Sequence, residues 1–219
     1  MEAMNPVAVL LLSLVSLGRC APLSHCDALM KPITISNEEI LGRWQYIGGS
    51  SDIPGSRSLA LLMTSAWVDL TQTPRSNVLN LVQSHRIYGR CSSYAYDVIF
   101  ENNTMLIEEP FFLKEVYLPH ACPDCLVANE DVVSGGDTFK SLLMFSRSRT
   151  VPPAAMEMLK KQAECLRMPP PIIMDPDEEM CPDDIAPLEG LTALNSIFEA
   201  KMGHRVARVL DAIFDMFLN

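Results

Sequence analysis

The densest grouping of chemistry-bearing residues in the chain is His120-Ala121-Cys122-Pro123-Asp124-Cys125. Two thiols at this spacing beside an imidazole suit a redox pair, part of a metal site or a local disulfide. Thioredoxin-type exchange needs the motif to open a helix, and zinc needs further ligands. A structural disulfide pinning the turn is therefore the leading reading, with thiol exchange and metal binding as alternatives. His25, His85 and His204 have no partners at a spacing suited to catalysis. The acidic run Asp175-Pro176-Asp177-Glu178-Glu179, with Asp183-Asp184, carries prolines and a cysteine where a calcium loop needs alternating carboxylates, a central glycine and a closing glutamate. It reads as a solvated loop. The expectation is no catalytic constellation, no cofactor and no metal.

The cysteines and the first residues speak to the compartment. Residues 1–20 read as a signal peptide. Its apolar core, Val7 to Leu17, is too short to span a bilayer, and Gly18 and Cys20 are small residues where a signal peptidase reads. Glu2 is unusual in such a segment, so a retained signal acting as an anchor is the alternative. Cleavage after Cys20 leaves Cys26, Cys91, Cys122, Cys125, Cys165 and Cys181, an even set that reads as a disulfide framework in a secreted chain. Asn102-Asn103-Thr104 is a glycosylation sequon on an expected surface turn, with Asn102 the acceptor. The formal charge of −10, without any Lys/Arg run, argues against nucleic acid as a partner.

These residues need elements to hold them. Ser36-Asn37-Glu38-Glu39-Ile40 has a polar start and acidic follow-on that suit a short helical turn. Beyond it the pattern is strand-like to about residue 147. Ala66–Leu70, Val78–Val82, Ser93–Phe100 and Met105–Ile107 alternate or are β-branched, with turn signals between them, and about eight short strands are expected. Pro152-Pro153 opens a helix over Ala154 to Arg167, which Pro169-Pro170-Pro171 stops. In the last residues, Leu188, Leu191, Leu194, Ile197, Phe198, Val206, Val209, Leu210, Ile213, Phe214 and Phe217 recur at helical spacing, and Gly203 bends or divides the segment. This amphipathic stripe suits packing on its own domain, contact with a lipid or lipoprotein surface, self-association, or a reach over the mouth of a barrel.

Ile40-Leu41-Gly42-Arg43-Trp44-Gln45-Tyr46-Ile47, a Gly-x-Trp at the start of a strand, resembles the first motif of the lipocalins. Pro32-Ile33-Thr34, the Glu-Asn-x-Thr turn at 101–104, Glu164-Cys165-Leu166-Arg167-Met168-Pro169 and Cys181 resemble lipocalins of the alpha-1-acid glycoprotein (orosomucoid) type. They are also similar to the fish plasma lipocalins that bind saxitoxin, tetrodotoxin or tributyltin, and more distantly to apolipoprotein M. The similarity covers roughly residues 26–182, and the order of the cysteines is its most specific part. It implies a mainly β chain: an eight-stranded antiparallel up-and-down barrel with a flanking helix over 21–182, followed by an amphipathic helical extension over 183–219. It implies that Trp44, entered through Gly42, plugs the base beneath Arg147, a cation–π contact worth roughly 0.5–2 kcal/mol. It also implies the disulfides Cys26–Cys165 and Cys91–Cys181. One departure stands out. Where lipocalins usually carry a Thr-Asp-Tyr-like second motif, this chain has the Cys122/Cys125 turn.

The resemblance implies a secreted carrier of small hydrophobic or amphipathic molecules. Two alternatives stand beside it: a lipoprotein-associated lipid carrier similar to apolipoprotein M, and a lipocalin-type enzyme with a free thiol in its cavity. Period-two alternation supplies the ligand-facing candidates. With Trp44 inward, Tyr46 and Gly48 follow; Tyr94, Tyr96 and Val98 share one face, as do Leu79 and Leu81. Tyrosine suits ligands with one polar end, offering a π face and a hydroxyl together.

Overall fold

The computed structural model describes residues 25–199 and 207–212. The expected signal segment 1–20, residues 200–206 with Gly203 and Val206, and the chain from Ile213 onward lie outside the described residues. A short helix α1 (His25–Leu29) and a turn of helix α2 (Asn37–Ile40) lead into β1 (Gly42–Ser51). Helix α2 forms because Ser36 and Glu39 cap each other reciprocally: the Glu39 N–H donates to Ser36 Oγ and the Ser36 N–H to Glu39 Oε2. Then follow α3 (Ser56–Leu62), β2 (Met63–Gln72), β3 (Val78–Ile87), β4 (Arg90–Glu101), β5 (Thr104–Ile107), β6 (Phe112–Leu118), β7 (Cys125–Ser134) and β8 (Asp137–Ser146).

Each of these eight strands pairs antiparallel with its sequence neighbours, and β8 returns to β1, so the sheet closes. Closure leaves no edge among them. Positive φ angles at Tyr88 and Gly89, at Asn102 and Asn103, and at Gly135 and Gly136 turn three of the hairpins in two residues, with the twist such hairpins favour. The strands run longer than alternation suggests, because polar residues at their ends still complete backbone pairs. β2, for instance, pairs with β3 out to Gln72↔Leu79.

Alternation divides the apolar residues into two cores. The inward set, including Trp44, Leu70, Leu79, Val98, Phe100, Leu126 and Phe139, fills the barrel. The outward set, Ile47, Leu118, Val127, Leu142 and Met144, meets Ala155, Leu159 and Ala163 of α4 (Pro153–Cys165). Gln162 is fully buried in that seam, its Nε2 donating to the carbonyls of Leu29 and Pro119. The structure joins Cys26 to Cys165, tying α1 to the end of α4, and Cys122 to Cys125 across the turn before β7.

Past α4 the chain runs back along the barrel. β9 (Ile172–Ile173) pairs with β1 at Gly48 and Gly49. The acidic run is exposed and strapped down by Arg86, whose guanidinium lies 2.6 Å from Glu179, and by Arg149, which donates to the Glu178 carbonyl. Cys181 is joined to Cys91 of β4. β10 (Leu188–Glu189) then adds in parallel to β4, and α5 (Gly190–Glu199) crosses the barrel mouth. Gly190 permits that crossing: a Cβ there would stand 2.4 Å from Tyr96 Cδ1.

Candidate ligand cavity

The base is sealed by one aromatic ring and one cation. Trp44 is 4% exposed and its Nε1 donates to the Ile40 carbonyl at 2.8 Å. Arg147 lies with Cζ 3.5 Å from the Trp44 ring centroid, and its guanidinium donates to the carbonyls of Glu39, Leu41 and Arg43. One side chain thus covers the indole and satisfies three backbone carbonyls where α2 meets β1. Gly42 has φ +85°, and a Cβ there would approach Arg147 Nη1 to 3.3 Å, so both its conformation and its lack of a side chain serve the seal. A second pair places Arg43 over Trp67 at 3.5 Å, and Trp67 Nε1 donates to the Cys181 carbonyl.

Above the seal, the interior formed by the described residues holds three chambers that share walls. A lower chamber of about 90 Å³ is lined by Trp44, Leu81, Tyr96, Val98, Glu115, Tyr117, Glu130 and Phe145 among others. A mouth chamber of about 380 Å³ lies between Tyr46, Trp67, Gln83, His85, Tyr94, Leu143 and Leu59 of α3, and is closed by Ala193 and Leu194 of α5. A side chamber of about 190 Å³ under α3 is bounded by Tyr46, Gly49, Glu130, Ser141 and Leu143.

Tyr46, Leu81, Tyr94, Tyr96 and Val98 therefore all line chambers. Leu79 also faces inward, but it packs in the solid core and borders none of the chambers. Gly48 does not line the interior as alternation from Trp44 suggests. The β1–β8 register shifts at a bulge between Tyr46 and Gly48, so Gly49 takes the inward place beside the Tyr46 hydroxyl. Asn102 sits exposed at the tip of the β4–β5 turn. His120 Nδ1 lies 2.6 Å from the Cys122 carbonyl, within the disulfide-closed turn.

Sequence reasoning overlooked the polar residues of the interior. Gln83 and His85 continue the inward face of Leu79 and Leu81, and Glu115 and Glu130 sit among inward apolar neighbours on β6 and β7. A charged residue on the apolar parity of a strand was the available signal. Glu115 and Glu130 are direct cross-strand partners. Burial and the neighbouring carboxyl push Glu130 up to about 8, and burial raises Glu115 as well. Burial pushes His85 down to about 4, leaving it neutral. Burial and the two carboxyls also hold the phenols of Tyr96 and Tyr117 far above their usual range.

These shifts set a pH dependence. Folded Glu130 keeps its proton up to about 8 while the unfolded chain releases it near 4.5, so stability falls as pH rises through that window. His85 acts oppositely, its contribution being lost as pH falls from about 6.5 towards 4. Between about pH 6.5 and 8 the carboxyl contribution dominates, and at no more than about 1.4 kcal/mol per pH unit, less the small opposite change from His85, a loss of about 1 kcal/mol is expected. Urea denaturation of the ligand-free protein at these two pH values checks this, and Glu130→Gln should flatten the difference.

The C-terminal extension is latched over the mouth. Phe198 is buried with its ring 4.9 Å from Phe111 and 6.3 Å from Phe139. Glu189 accepts from the N–H groups of Leu191 and Thr192, capping α5. Asp211 accepts from Gly55 N, Ser58 N and Ser58 Oγ, supplying α3 with the cap that Gly55 lacks. Asp211→Ala should cost about 1 kcal/mol and raise hydrogen exchange at the amides of α3, read by mass spectrometry.

A closed eight-stranded barrel, stoppered by a Gly-x-Trp and its arginine and hollow above them, defines the lipocalin class. Solved structures of that class are similar: siderocalin Ex-FABP (TM-score 0.57, 18% identity, covering 65% of this chain and 97% of that one) and siderocalin Q83 (0.57, 18%, 68% and 96%). A dog lipocalin allergen aligns with TM-score 0.53 at 15% identity, over 66% of this chain and 98% of its own. No curated protein sequence matches. The ApoM domain family matches residues 10–183, and the chain belongs to that family.

Proposed function

We propose that the protein is a secreted, non-enzymatic carrier that binds a small hydrophobic or amphipathic molecule inside its barrel. The observation that carries this reading is the hollow, largely apolar interior above the Trp44–Arg147 seal. Apolar burial at about 25 cal/mol per Å² would supply the affinity, and a few polar groups the orientation. Tyr46, Leu81, Tyr94, Tyr96 and Val98 form the wall in this reading. Leu79 supports it from the packed core, and Asn102 carries a glycan at the exposed turn. Three disulfides suit an oxidising, extracellular compartment. A thiol enzyme would have to break one of them, since all six described cysteines are paired. Titration with the neutral fluorophore N-phenyl-1-naphthylamine tests the proposal: saturable enhancement, reversed by an apolar competitor such as decanol, is expected. A folded protein without saturable binding would refute it.

A lipoprotein-associated role is the second reading. Leu188, Val209 and Leu210 of the extension are exposed apolar residues, 63%, 60% and 44% accessible. Cosedimentation with phosphatidylcholine vesicles should then be lost in a chain ending at Pro187.

A further inference from the structure

One helix of the C-terminal extension is both the roof of the mouth chamber and a lightly fastened segment. α5 packs Leu191, Leu194 and Phe198 on the barrel core, an i, i+3, i+7 stripe along one face, while Thr192 and Ser196 on the other face are exposed. Ala193 and Leu194 border the mouth chamber. The helix starts beside β4 at Gly190 and ends with the Phe198 ring against Phe111, just before β6, and Phe139 of β8. What fastens it is sparse. Leu188 and Glu189 make only a two-residue pairing with β4, on the side that β5 leaves free above Ile99. Among the described residues, the side-chain hydrogen bonds of the segment close on itself: Glu189 accepts from the Leu191 and Thr192 amides, and Ser196 Oγ donates to the Thr192 carbonyl. The Asn195 side-chain oxygen is buried without a hydrogen-bond partner among the described residues, which opposes the closed position because water would satisfy it in a lifted helix. Helix α4 is held differently, through the disulfide at Cys165.

Resting on the carrier reading, we propose that α5 is a tethered lid: ligand enters and leaves the mouth chamber when α5 lifts, and Phe198, the anchor at its far end, sets how long the ligand stays. Burial of the apolar stripe closes the lid, and the edge-to-face contact of Phe198 with Phe111 adds to it. The unpaired Asn195 oxygen and the two-residue strand keep that advantage small. Opening is therefore a local unfolding of the segment that leaves the barrel intact. Cys181 stays bonded to Cys91 just before the extension, so the lifted helix remains beside the mouth and reclosure is intramolecular. Gly190 is the pivot, pressed so close to Tyr96 that a side chain there would push the helix away. The side chamber under α3 is the other route to the interior. Ser50, Ser51, Ser56 and Arg57 border it, a polar passage that an apolar molecule crosses less readily than the aliphatic underside of α5. A lid slows entry and exit together, and so governs exchange more than affinity.

The test loads the purified, disulfide-bonded protein with N-phenyl-1-naphthylamine, chases it with excess decanol in a stopped-flow fluorimeter, and reads hydrogen exchange by mass spectrometry. In the unaltered protein the amides of α5 should exchange faster than those of β7 and β8. Phe198→Ala should raise α5 exchange further and speed dissociation roughly tenfold or more, with the equilibrium affinity falling less because association speeds up as well. Gly190→Ala, which sets a Cβ against Tyr96, should act in the same direction from the other end of the helix and keeps the test decisive if Phe198→Ala does not fold. Thr192→Ala, on the exposed face, should leave dissociation unchanged. Unchanged dissociation in either folded variant would overturn the lid and leave the carrier reading standing, with ligand passing through the side chamber. Amides of α5 that exchange only as slowly as the barrel strands would overturn it too. Absence of saturable binding by the unaltered protein would remove both readings.

Discussion

Trp44→Ala should lower the unfolding free energy by about 3–5 kcal/mol, the cost of deleting a fully packed large aromatic. The loss has three sources here. The ring fills the base of the barrel at 4% exposure. Its removal strips Arg147 of the surface it covers, and Arg147 is what holds the carbonyls of Glu39, Leu41 and Arg43. The Ile40 carbonyl, buried beneath the indole, also loses its donor. Urea denaturation followed by circular dichroism checks the magnitude. Trp44→Phe should cost clearly less, because it keeps a ring under the guanidinium and loses only the N–H and part of the volume.

Replacing Cys26 and Cys165 together by serine should cost about 5 kcal/mol on the chain-entropy account, because the bridge closes 139 residues. Its partners are α1 and the end of α4, both outside the barrel, so the damage should begin there: amides of α1 and the last turn of α4 should lose protection before the barrel strands do. The Cys122/Cys125 bridge spans only 3 residues, and the same substitution there should cost far less. Thermal melts of the two double variants make the comparison directly.

What was legible in the sequence follows from how local each signal is. Gly42, Trp44 and Arg147 carry their roles in residue type, and strand alternation was visible wherever inward residues were large and apolar, as in Ser93–Phe100. The inward parity of Tyr46 followed from Trp44 two residues earlier. It failed one step later, because a bulge depends on how β1 meets β8 and on no residue type within β1. The mouth was not legible either. Whether α5 lies on lipid, on a partner or on its own barrel depends on partners far away in the chain, such as Phe111, Phe139 and the amides of α3 that Asp211 caps. Glu115 and Glu130 were not singled out from the sequence, since their pairing arises only when β6 and β7 bring them face to face.

The central claim is that ligand sits inside the barrel, and filling the barrel tests it most directly. Leu143 borders all three chambers. Leu143→Trp should therefore block the interior while the chain still melts cooperatively. Titration of this variant with N-phenyl-1-naphthylamine should show saturable binding weakened at least tenfold relative to the unaltered protein. Unchanged affinity in a folded Leu143→Trp protein would place the ligand elsewhere and contradict the account.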